Sequence, residues 1–149
     1  MIASIKEKGG GRFAVAMTGQ EKQRFLSGIL GDCSKYYSML GQVNVEASDC
    51  SRAADRDSIH DGIRRSVGFA KLSRMVLGVM EGWMEEQLRG QGAASAAAGH
   101  ETMATEWSTT LATVLGQQGR HDEAAEIYEA SIKVYQSLLP ENHPSIGTT

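Results

Sequence analysis

The side chains able to do acid–base, nucleophilic or metal chemistry in this 149-residue chain are four histidines, eighteen carboxylates and two cysteines. Their spacing assembles no site. His100-Glu101-Thr102-Met103-Ala104 opens like a zinc-protease helix, where two imidazoles one turn apart share a metal, but alanine occupies the place of the second histidine. His60 and Asp61 are sequence neighbours and so face different sides of a helix, which disfavours an acid–base pair. Asp55, Asp57 and Asp61 offer oxygen ligands, yet 55 and 57 diverge on a helix and read as carboxylates that cap and solvate its start. Cys33 and Cys50 are too few and too far apart for a disulfide scaffold or a zinc site. A phosphate-cradling loop ends in Gly-Lys-Ser/Thr, whereas here Lys8 precedes Gly9-Gly10-Gly11. Met75, Met80, Trp83 and Met84 could line a cofactor pocket, but their spacing is that of a buried helix face. No nucleophile elbow or nucleotide fingerprint is present. The expectation is no catalytic, cofactor-binding or metal-ligating residue, no cofactor and no enzymatic activity.

Charge excludes other classes. The net charge is −3, so neither nucleic acid nor an anionic membrane is the natural partner. Residues 1–100 carry 13 Lys/Arg and 11 Asp/Glu, while residues 101–149 carry 2 and 7, so the acid is concentrated at the C-terminal end. No run of about 18 apolar residues could span a membrane, and Met1–Lys8 lacks the apolar core of a secretion signal. The default location is cytoplasmic.

The elements that would have to position a site are helical. Residues 1–12 read as a flexible lead-in, and Phe13–Met17 as one short strand without a partner. Thr18 and Glu21 have the spacing of a capping box. Behind them Phe25, Ile29, Cys33, Tyr36 and Leu40 recur at steps of four and three, which predicts a helix over 19–40 that Gly41 ends. A second helix is expected from Ser51 or Asp55, with Ile59 and Ile63 on one face and Gly68 breaking it. A third runs over 69–88 with Phe69, Leu72, Val76, Val79, Met80, Trp83 and Leu88 as its apolar stripe. Thus 13–90 is a strand plus a three-helix segment. Residues 91–104 form an Ala/Gly linker or a helix extension, the alanine run joining the following helix.

Residues 105–139 read as a helical hairpin. Leu111-Ala112, Leu115, Gly119, Ala124 and Tyr128 stand at the offsets of the tetratricopeptide repeat, a helix pair of about 34 residues. Small Ala112 and Ala124 allow two helices to approach, Gly119 makes the turn, and Leu115 and Tyr128 fill the space between them. Asp122 and Glu123 fall in the first turn of the second helix, where they complement its dipole. The aromatic expected in the first helix falls on Ser108, with Trp107 one position away, and Ser131 replaces the late alanine of the second.

The stretch 111–128 resembles the repeat of kinesin light chains, as does the exit Leu138-Leu139-Pro140-Glu141-Asn142-His143-Pro144, whose histidine–proline pair opens the next unit in that family. The resemblance implies an all-α fold, a helical bundle plus one tetratricopeptide hairpin, acting as a protein-binding scaffold or adaptor. It implies that Glu106, Thr109, Thr113 and Gly116 face the partner groove. Thr109 and Thr110 stand where the family carries groove asparagine, and Glu106 with the nearby carboxylates favours a basic or neutral peptide. Residues 12–88 resemble, by pattern, the TIR-like segment that precedes such repeats in large algal and protist proteins. The second expectation is therefore an inactive C-terminal remnant of a TIR-like signalling protein. Residues 140–149 would start a truncated next repeat, making the chain a fragment. Because about three repeats normally share a core, a lone one leaves an apolar face through which the chain could self-associate.

Overall fold

The computed structural model describes residues 4–8 and 12–139. Two strands, β1 (Ser4–Lys8) and β2 (Arg12–Ala16), precede six helices: α1 (Gly19–Gly31), α2 (Cys33–Gly41), α3 (Ala53–Arg65), α4 (Phe69–Ala97), α5 (Glu101–Gln117) and α6 (His121–Leu138). The chain is all-α apart from that one hairpin.

Four elements differ from the sequence expectation. The strand is not an orphan: β1 pairs antiparallel with β2, Ser4 opposite Ala16 and Lys8 opposite Arg12, so part of the lead-in is ordered as the missing partner. The Gly9–Gly11 run itself and residues 140–149, including the His143-Pro144 exit, lie outside the described residues. The helix expected over 19–40 divides at Asp32, which leaves helical geometry (φ −152°, ψ 78°) and accepts the Lys35 N–H on its side chain at 3.0 Å. A free carboxylate at that point serves as a new N-cap and re-aims the chain. The alanine run joins the preceding helix, extending α4 to Ala97. The second helix, α3, has no buried residue, and Ile59 is 56% exposed, so its apolar positions do not enter the core.

The capping box forms as its spacing predicts. The Glu21 N–H donates to Thr18 Oγ1 at 3.2 Å, and the Thr18 N–H donates back to Glu21 Oε2 at 2.9 Å. His60 lies edge-on to Phe69, whereas Asp61 pairs with Arg64.

α5 is the central helix. It packs against α4, α6, α2 and α1, and supplies Trp107, Leu111, Ala112, Val114 and Leu115 to a core completed by Phe25, Leu26, Ile29, Leu40, Met84, Leu88 and Ala124. Of the α4 stripe only Leu88 is fully buried. Met84 joins it, the rest are partly exposed, and Met75 faces solvent. The buried hydroxyls of Thr105 and Ser131 donate to carbonyls one turn back, Glu101 O and Ile127 O, each at 2.8 Å, so neither polar group is stranded.

Candidate interaction surface

The α5–α6 turn follows from its residues. Gly119 takes φ +80°, which only glycine adopts without strain. The Arg120 N–H then reaches Leu115 O at 2.9 Å and the Gly119 N–H reaches Gly116 O at 3.1 Å, closing the last turn of α5. The α4–α5 turn repeats this construction at Gly99, with the His100 N–H on Ser95 O at 2.9 Å. α4, α5 and α6 are therefore two successive antiparallel hairpins, and α4 covers a side of α5 that a lone repeat would leave bare.

Within the hairpin, Leu115, Ala112 and Ala124 are buried as their types require. Tyr128 is 38% exposed. Its hydroxyl bonds that of Thr113 at 2.8 Å. Trp107, one position from the expected aromatic site, is the buried ring, while Ser108 donates to Ala104 O at 3.0 Å.

The four groove candidates share one side of α5, at steps of three, four and three. Glu106 is exposed; Thr109, Thr113 and Gly116 are half-buried. Thr109 and Thr110 both donate to Glu106 O at 2.9 Å, and Thr113 donates to Thr109 O at 3.0 Å. The strip thus presents threonine methyls, with its hydroxyls already held by backbone. Tyr128 of α6 borders it on one side. On the other, the Cys33 thiol of α2 approaches Thr110 O at 3.8 Å. Burial pushes the Cys33 thiol above its ordinary value, which disfavours the thiolate.

A depression on the other side of this region was missed by sequence reasoning. It holds about 620 Å³ over α5 between the end of α4 and α6, where Glu101, Ala104 and Ser108 face Glu126, Ala130 and Val134. Small residues, Ala104 and Ser108 one turn apart on α5 and the neighbours Ala130 and Ser131 on α6, were the available signal. Among the described residues no group of three or more His, Cys, Asp or Glu could hold a metal, and no helix is long and apolar enough to cross a membrane.

One ion-pair network locks the turn to α4. Arg120 bonds Glu123 at 2.6 Å and Glu85 at 2.7 Å, and Arg89 bonds Glu85 at 2.9 Å. Partial burial pushes Glu85 up, but the two guanidiniums outweigh it and hold its carboxyl below the ordinary range. Arg120 lowers Glu123 in the same way. Depressed folded values contribute stability above the unfolded carboxylate value of about 4.3, lost as pH falls through the folded values. Arg120→Ala is therefore expected to lower the melting temperature near neutrality. It should also flatten the loss of stability on acidification below about pH 4.5, as thermal melts across that range would show.

The tetratricopeptide repeat family matches residues 109–145, from inside α5 through α6 and beyond the described residues. No curated protein and no solved structure matches the chain. The match and the packed α5–α6 hairpin together support one tetratricopeptide-type helix pair in this part of the chain.

Proposed function

We propose that this chain is a non-catalytic protein-interaction module, a scaffold or adaptor of the kinesin light chain kind working in the cytoplasm. Its α5 strip of Glu106, Thr109, Thr113 and Gly116 receives a neutral or basic peptide. The observation that carries this is the strip itself: a row of small side chains on the central helix of a tetratricopeptide hairpin, walled by Tyr128 and left open. Glu106 and the acidic surplus of the C-terminal third set the charge preference. Peptide-library selection on the purified chain should enrich Lys- or Arg-containing sequences. Glu106→Lys and Thr109→Arg should each weaken an enriched peptide about tenfold or more, the loss of roughly one good interfacial contact. Peptides indifferent to both changes would place binding elsewhere, the groove over Ala104 and Ala130 being the next position to vary.

Self-association is a second reading, favoured by a stripe on the outer side of α6. Tyr128, Ile132, Tyr135 and Leu138 recur at steps of four, three and three and are all exposed, and an apolar row of this kind on a repeat helix is what a neighbour would cover. Light scattering should show mass rising with concentration, and Ile132→Asp should abolish the rise; a strict monomer at high concentration rejects this reading. The remnant of a TIR-like protein has less to support it, because β1 supplies the strand partner whose absence favoured it.

A further inference from the structure

A cavity of about 120 Å³ lies where β2, α1, α2 and α4 meet, away from the α5 strip and from α6. Phe25, Leu40, Met80, Trp83 and Met84 form its walls, and Met39, half exposed, stands at its rim. Every lining side chain is aliphatic, aromatic or a thioether, and none is charged. The single lining hydroxyl, that of Tyr36, lies against Gly28 in α1. A buried water needs two to four polar partners, which this wall does not offer, so the space is suited to apolar matter and not to solvent.

We propose that this cavity is a binding site for a small uncharged apolar ligand, a single aromatic ring or a short alkyl chain. Size sets the class: a dry apolar cavity of about 150 Å³ accepts benzene, and about 120 Å³ is of the same order, which suits one ring better than a fused system. Chemistry sets the charge: an ionised group would be desolvated with nothing to pair it. The wall is also adaptable. Met17, Met39, Met80 and Met84 border the space, and unbranched thioether chains re-pack around different shapes and contact ring edges favourably. Met39, exposed at the rim, provides the route in. The periodicity of Met80, Trp83 and Met84 reads as core packing, and Met84 is indeed buried; the site arises because β2 and α2 close over that face without filling it.

The test is a toluene titration of the full chain with its seven methionines labelled at the methyl carbon, followed by NMR and by thermal melts. The methyls of Met39, Met80 and Met84 should shift saturably while those of Met75 and Met103, exposed elsewhere, stay in place. The melting temperature should rise with toluene concentration. Benzoate, of similar size but charged, should do neither. Val43→Phe, which adds a ring at a lining position just after α2, should abolish the toluene response, and Leu40→Phe, from α2 itself, does the same if the first variant misfolds. Absence of saturation up to the solubility limit overturns the proposal. So do equal shifts at Met75 and Met103, or binding of benzoate as strong as that of toluene. A result in either direction leaves the peptide-binding strip untouched, since no residue is shared.

Discussion

Leu115→Ala is expected to cost about 3 kcal/mol of unfolding free energy and to lower the melting temperature by roughly 10 °C. Leu115 is 0% exposed and sits at the end of the helix that touches α1, α2, α4 and α6. Truncation removes the transfer energy of its side chain and leaves a void that the neighbours cannot close, because each is held by a different helix. Leu138→Ala is the control: that side chain is 47% exposed, and its truncation should change stability by no more than about 0.5 kcal/mol. Urea unfolding of both variants measures the difference. A Leu115→Ala cost under about 1 kcal/mol would mean that α5 is not the centre of the core.

Gly28→Ala should destabilise by about 2 kcal/mol, although alanine in a helix interior ordinarily gains about 1 kcal/mol over glycine. The sign is set by Tyr36. A Cβ at Gly28 would lie 2.8 Å from Tyr36 Cε2 and closer still to Cζ and the hydroxyl. Moving that ring disturbs its edge-on contact with Phe25 at 5.5 Å, and Phe25 in turn packs on Trp83 at 5.1 Å. The cost of displacing an aromatic cluster exceeds the propensity gain. Truncating the obstruction should invert the effect: in a Tyr36→Ala background the same substitution should become neutral or stabilising, which a double-mutant cycle would show. Destabilisation of equal size in both backgrounds would exclude the clash.

How much of this was legible in the sequence depended on whether the determinants were local. Gly119 and the Thr18–Glu21 box act within a few residues, and the positive φ and the reciprocal cap bonds follow from type and spacing; Ala112 and Ala124, on different helices, are both buried. β1 was hidden because Lys6, Glu7 and Lys8 read as solvated lead-in, and strand pairing is a property of two segments and not of one. The break at Asp32 was masked by a continuous apolar face, Ile29, Cys33 and Tyr36, that two shorter helices satisfy equally well. The alanine run 96–98 favours helix without saying whose, and the Gly99 turn decides it. Tyr128 shows the limit on the site side: its type and spacing predict a ring between the helices, and in the structure it is 38% exposed with its hydroxyl on that of Thr113. The four strip residues share one face, as helical spacing dictates; that they receive a partner is the proposal above.

The proposed binding strip depends on residues 101–138 folding back on themselves about Gly119. The most direct measurement is the nuclear Overhauser contact between the Thr113 methyl and the Tyr128 ring, whose side chains meet at 2.8 Å between hydroxyls. A strong contact, lost in Leu115→Ala under conditions where that variant is unfolded, is the predicted result. No contact in the folded chain, with helical shifts running unbroken through Gln118–Arg120, would contradict the hairpin and remove the basis for a binding strip on α5.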